Sequence, residues 1–239
     1  MITIAFITML MLAVGVQNSS GPNESLWDAA VPNEPQKNNA AYVRLGNNGR
    51  AIVQAIIAAN LERESLSMGD VWPIKKSRFK VGQWAGTEYH PATSDEYFAD
   101  LLESEAIEGV TWPLFTGGAI GVPAAENEKD FRAGGKNAWS YITLPDGFPE
   151  KGRNSNEYPP DDMPFLVTKN LRITSDDLRN YNPDMSLADK LDRADEKVVA
   201  VTYGGSVRIL DEKALQKASN LFGSTSAEVI RKAVAVHPK

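Results

Sequence analysis

The sequence predicts an α+β fold, with helices packed on a small antiparallel sheet, and three observations carry that prediction. Val198 to Tyr203 and Ser206 to Leu210 are β-rich runs separated by Gly204-Gly205, which reads as a hairpin and therefore an antiparallel pair. Two stretches, 49–64 and 94–105, repeat apolar residues at helical spacing. Strands do not alternate regularly with helices, which argues against a doubly wound parallel sheet.

The elements follow in chain order. Ile2 to Val16 is apolar except for Thr3 and Thr8, and the first charged side chain is Glu24. A bilayer span takes about 20 residues and a signal-peptide core about 7–15, so the run fits an export signal or a short membrane anchor. Ala13-Val14-Gly15 supplies a small-x-small cleavage pattern, although no Lys or Arg precedes the run. A buried N-terminal strand or helix is the alternative. Residues 17–46 hold Gly21, Pro22, Pro32, Pro35 and many Asn, which predicts an irregular linker. Within it, Leu26, Trp27, Ala29, Ala30 and Val31 could dock on the globular part. At about 150 residues per domain the 239-residue chain makes one large or two small domains, and residues 47–239 read as a single globular one.

Inside that domain Asn47 or Asn48 is placed to cap the helix 49–64. Ile52, Ile56 and Ala59 share one face, with Val53, Ile57 and Leu61 beside them, so the helix is expected to be largely buried. Ser67 to Asp70 reads as a turn. Thr93 and Glu96 have capping-box spacing and open the helix 94–105, which buries Tyr97, Phe98, Leu101 and Leu102. Gly117 to Glu128 is a Gly- and Ala-rich loop. A strand begins near Lys136, with Trp139, Tyr141 and Thr143 on one side, and Asp146-Gly147 ends it. Lys151 to Asp162 is polar and holds Pro159-Pro160, which predicts an exposed loop. Phe165, Leu166 and Val167 start another strand. Ser175 to Glu196 reads as loop with one helical turn near 186–193. The Gly204-Gly205 corner suits a type I′ turn with positive φ at both residues. Asp211 caps a helix carrying Leu215, Ala218 and Leu221, closed by Gly223. Thr225 and Glu228 form a second capping box before a short last helix with Val229, Ile230 and Ala233.

Composition narrows the function. Lys plus Arg is 25 and Asp plus Glu is 31, a formal charge of −6. With no basic tract, this argues against nucleic-acid binding, which needs clustered cations. Hydrophobic residues make up 42%, enough for a core and too many for global disorder. Cysteine is absent, which removes disulfides, thiolate metal sites and cysteine nucleophiles together. The two histidines, His90 and His237, are too few for a His-rich metal site.

Several groups remain as candidates. Thr116 to Gly121 comes near a dinucleotide loop, but Thr116 stands where the first Gly belongs and Pro123 interrupts the helix that should receive a pyrophosphate. No nucleotide cofactor is expected there. Asp161-Asp162, Asp176-Asp177, Asp184, Asp189, Asp192 and Asp195 offer oxygen ligands for calcium without the spacing of a calcium loop. The Asp161-Asp162 pair is the best of these, being flanked by stiffening prolines, and a solvated acidic face is the plainer reading. His90 follows Glu88, which could orient its imidazole, and Ser94 lies four residues on, without a G-x-S-x-G elbow. A loop histidine beside Tyr89 is the plainer reading. His237 reads as frayed. Trp72, Trp84, Trp112 and Trp139, with Tyr89, Tyr97 and Tyr141, could form a sugar-stacking platform, and core packing is the plainer reading. Asn18-Ser19-Ser20 and Asn23-Glu24-Ser25 match the N-glycosylation pattern, which has meaning in a eukaryotic secretory host. No catalytic, cofactor-binding or metal-binding residue is assigned.

Three stretches together resemble the bacterial type II secretion pseudopilin-like proteins, which have a type IV pilin fold. Asn48-Gly49-Arg50-Ala51-Ile52-Val53-Gln54-Ala55-Ile56, followed by Trp72-Pro73, is similar to the family's helix after the membrane segment and its W/Y-P turn. Ser94-Asp95-Glu96-Tyr97-Phe98 is similar to an S-x-x-Y-F helix start, and Val199 to Leu210 to the closing hairpin, with Gly204-Gly205 in place of D-G. The chain departs from the family at Met1-Ile2-Thr3, which lacks the Gly and Glu of the N-terminal signature. Gly21-Pro22 also breaks any continuous helix, and a truncated or degenerate anchor would fit both departures. The resemblance implies a non-enzymatic subunit of the cell envelope, inner-membrane anchored or periplasmic. Its partners would be other pseudopilin or envelope subunits, and it would need no cofactor. The alternative is a secreted enzyme or carbohydrate-binding protein using His90 and nearby carboxylates or the tryptophans, which convergence of His90, Asp161 and the tryptophans in one cleft would favour.

Overall fold

A computed structural model describes residues 34–66, 70–75, 88–148 and 160–239. The apolar run 2–16, residues 17–33 of the expected linker, the 67–69 turn, Trp84 and the loop 151–159 lie outside the described residues. The helices are α1 (Glu34–Ser65), α2 (Ser94–Glu103), α3 (Glu128–Arg132), α4 (Ser175–Arg179), α5 (Ser219–Phe222) and α6 (Ala227–Arg231). The strands are β1 (Trp139–Thr143), β2 (Pro164–Thr168), β3 (Val198–Thr202), β4 (Val207–Leu210) and β5 (Val234–Val236). The fold is α+β, and the five strands make one antiparallel sheet in the order β4-β3-β2-β1-β5.

The long helix corrects the expected linker boundary. Residues 34–46 are helical, so the element opens fifteen residues before the expected start at 49. Pro35 lies in the first turn, where its missing N–H costs nothing, so it starts the helix instead of stopping it. The buried face also extends upstream through Tyr42, Leu45, Gly46 and Gly49 to Ile52, Val53 and Ile56. Complete burial of Ile52 and Ile56 contributes about 1.5–3 kcal/mol each.

Two glycines set the distance between α1 and the sheet. A Cβ on Gly49 would sit 2.7 Å from Trp139 Cη2 and 2.8 Å from Val201 Cγ2. A Cβ on Gly46 would sit 2.7 Å from Val207 Cγ1. Farther along, the Lys197 N–H donates to the Tyr42 hydroxyl (3.0 Å), and Lys197 Nζ to Asn39 Oδ1 (2.7 Å). Together these contacts lay α1 along β3.

β1, β2 and β3 are buried on both faces. On the α1 side an aromatic cluster fills the space beside the helix: Tyr97 packs 5.1 Å from Tyr141 and 5.0 Å from Phe98, and Trp72 packs 5.0 Å from Phe165. The register slip between Pro164 and Leu166 is a bulge, a device that re-aims a side chain, and Phe165 joins this cluster. On the other face Arg208 Nη1 donates to Leu221 O (2.6 Å).

Four further expectations are corrected. Only Gly205 has positive φ (80°), so the hairpin is not type I′. Gly205 N–H donates to Thr202 O (2.8 Å) and Thr202 N–H to Ser206 O (2.9 Å), which makes a three-residue loop with a left-handed Gly bulge. Residues 175–179 are helical, because Thr174 and Asp177 form a complete capping box. The helix after Asp211 is split into a 3₁₀ turn at 214–216 and α5, although Leu215, Ala218 and Leu221 are buried as expected. Ser226, not Thr225, caps α6, and the chain then continues into β5 beside β1.

Candidate functional site

The polar candidates sit in four places. The first is the exposed group at 88–90. His90 Nε2 lies 3.1 Å from Glu88 Oε2, the orienting contact expected from the sequence. Lys75 Nζ lies 2.6 Å from Asp146 Oδ1 nearby, holding the carboxyl below its ordinary range and the amine above its own. Ser94 does not join this group. Its hydroxyl donates to Trp139 O (2.7 Å) and accepts from Asn137 Nδ2 (3.0 Å) inside the core.

The second place is the end of the chain. His237 is not frayed: its ring bridges Ser140 Oγ (2.8 Å from Nδ1) and Ile173 O (2.7 Å from Nε2). A carbonyl can only accept, so Nε2 carries the proton that bonds Ile173 O. The backbone is held as well, by Ser94 N–H on His237 O (3.0 Å) and Lys239 N–H on Asp95 Oδ2 (2.7 Å). Asp95 is buried, with Oδ1 lacking a partner, and burial raises its pKa despite the Lys239 N–H.

The third is an ion cluster between α2 and α3, in which Asp100 is buried while Arg132, Glu103 and Glu128 reach toward solvent. Asp100 accepts from Arg132 Nη2 (3.0 Å) and the Tyr89 hydroxyl (3.0 Å), and Arg132 also meets Glu103 (2.8 Å) and Glu128 (2.6 Å). Burial outweighs these partners and raises the Asp100 pKa.

The fourth is the Asp161-Asp162 pair. Asp162 accepts from Arg208 Nη2 (3.0 Å) and from the Ser224 N–H and hydroxyl, and the Ser224 bonds come first among the causes that lower its pKa. Asp161 instead uses its backbone carbonyl to accept from Gly204 N–H (3.0 Å). Five of the other six acidic candidates, all but Asp189, pair with cations: Asp176 with Arg179, Asp177 with Lys190, Asp192 with Arg172, Asp195 with Arg193 and Asp184 with Lys217. Among the described residues no group of three or more His, Asp or Glu is placed to hold a metal ion.

The remaining candidates are structural where they are described. Trp72, Trp139, Tyr89, Tyr97 and Tyr141 are buried and Trp112 is half-buried, so they form no exposed platform. Gly117 and Val122 close the 116–121 loop with two backbone bonds (3.1 and 3.0 Å), and no α-helix opens directly from it. Sequence reading missed the Arg208–Asp162 pair and the docking of His237. Among the described residues no helix is long and apolar enough to cross a membrane. Comparison with known protein families, with curated proteins and with solved structures returns no match to this chain.

Proposed function

We propose that this chain is a non-enzymatic, membrane-anchored or exported pseudopilin-like subunit of a type II secretion or pilus-like assembly. One observation carries the reading. The stretch Asn48 to Ile56, which resembles the family's helix, lies within α1 and packs on the antiparallel sheet through Gly49 against Trp139. Ser94 to Phe98 opens α2, and Val199 to Leu210 is the β3–β4 hairpin, so the other two similar stretches also fall on defined elements. In this reading the apolar run 2–16 delivers the head to the inner membrane or the periplasm. Other pseudopilin or envelope subunits are the partners, and no cofactor is needed. The alternative, a secreted enzyme or carbohydrate-binding protein, would be favoured by His90, Asp161 and the tryptophans in one cleft. His90 and Asp161 are exposed, on different segments, while Trp72 and Trp139 are core, so no observation favours it.

The test is fractionation of the tagged full chain, with sequencing of its N-terminus. Recovery with membranes or in the periplasm is expected. Soluble cytosolic protein that keeps Met1 would overturn the reading.

A further inference from the structure

The sheet ends in two short strands whose outer edges differ. At the β5 edge the Ala235 N–H is taken by Ser175 Oγ (3.2 Å), at the start of α4. At the β4 edge the bonding phase decides which groups face outward. Thr202 bonds Ser206, so the bonded pairs alternate to Ala200–Arg208 and Val198–Leu210. Val199 agrees, because its N–H points away from β4 to Thr168 Oγ1 (3.1 Å). Val207 and Ile209 therefore turn both N–H and C=O away from β3.

The side chains alternate as well. Val207 lies on the α1 face against Gly46, and Ile209 shares that face at 38% exposure. Val43, one turn before Gly46 on α1, is 51% exposed. Arg208, the one charge on the strand, points to the opposite face, where Asp162 and Leu221 O take up its guanidinium. Natural sheets commonly guard an open edge with lysine, proline or a covering segment, and β4 itself carries neither residue type.

We infer that β4 is an interface for a second copy of this chain. The two β4 strands pair antiparallel about a two-fold axis at Arg208, so that Val207 of each copy faces Ile209 of the other. A second copy fits because the outward groups lie two residues apart. In this register the strand satisfies all of its own outward N–H and C=O groups. Apolar side chains meet on one face, and each Arg208 charge is already matched by Asp162. Ser175 at the β5 edge opposes a head-to-tail sheet, which leaves the closed, isologous arrangement. So short a strand buries little area, so the dimer is concentration-dependent, at the small end of specific interfaces, below about 1,200 Å². This contact is separate from any assembly through the apolar N-terminus and stands or falls apart from it.

The chain has no cysteine, so introduced thiols report alone. Full-length V207C and I209C chains, distinguished by a size tag, are mixed in mild detergent and oxidised with copper phenanthroline. Facing residues of a bonded antiparallel pair lie about 5.5 Å apart at Cα, within disulfide reach. The mixed disulfide is expected severalfold above either symmetric one. I209K is expected to sediment as a folded monomer where the unaltered chain shows a concentration-dependent dimer. Should I209K fail to fold by circular dichroism, the disulfide pattern decides alone. Statistical proportions of the three disulfides overturn the inference. So does equal sedimentation of folded I209K and the unaltered chain, or a chain that stays monomeric while an unrelated extended peptide occupies β4.

Discussion

Gly49 has no side chain because the Trp139 ring occupies the place where one would go. Alanine there would gain about 1 kcal/mol of helix propensity. The buried ring cannot swing aside freely, and overpacking of this kind costs about 1–3 kcal/mol. G49A is therefore expected to lower the unfolding free energy by about 1 kcal/mol net, measured by urea denaturation. G118A, where a Cβ meets nothing within 4 Å, is the control and should stay within about 0.5 kcal/mol. Stabilisation by G49A would mean that α1 does not approach the sheet this closely. The two histidines make a second contrast. H237A leaves Ser140 and Ile173 O without their partner and should cost about 1–3 kcal/mol. H90A removes one exposed contact to Glu88 and should cost under about 0.5 kcal/mol. Equal losses would sink the assignment of His237 to a structural bridge.

At the scale of elements, the hairpin shows what the sequence can and cannot say. Gly204-Gly205 marks the corner and its partners correctly, but two glycines fit several turn types. The choice falls to contacts from elsewhere: Gly204 N–H is spent on Asp161 O and Tyr203 N–H on Met163 O, and only Gly205 goes left-handed. G205N, which tolerates that conformation, should cost less than about 1 kcal/mol, whereas β-branched G205V should cost about 2 kcal/mol. Thermal unfolding separates the two, and equal shifts would refute the turn assignment. The same limit applies to α1. Its apolar face from Ile52 onward is legible by period, but its first three turns carry Pro35, Asn38 and Asn39. Those residues break helices in isolation, and here Tyr42 and Asn39 hold the turns down through Lys197, 155 and 158 residues away. β5 is only three residues long, too short to show a period. Its strand character comes from pairing along the edge of β1, which no local pattern reveals. His237 was misread for the same reason. Glu88 beside His90 is readable because only Tyr89 separates them.

At the scale of the whole molecule, six carboxyl groups with displaced pKa values divide into two sets that pull stability in opposite directions with pH. Asp146, Asp162, Asp177 and Glu228 have lowered pKa values, so the stability they contribute is present above their unfolded values and lost as pH falls. Asp95 and Asp100 have raised values, caused first by burial. Their folded forms hold the proton more tightly, so the stability they contribute is complete below the unfolded value of about 3.9 and is lost as pH rises through the folded value. Asn in place of Asp95 keeps an oxygen for the Lys239 N–H and has no charge to bury. Relative to the unaltered chain, D95N should therefore gain stability as pH rises from about 3 to about 7. D162N should show the opposite slope, losing least at the acid end, since Arg208 and Ser224 are matched to a charge that acid removes anyway. Urea titrations of the three proteins at matched pH values read both slopes directly. Parallel curves for D95N and the unaltered chain would show that Asp95 is not titrating inside the fold, and that the Lys239 contact with it is made in water.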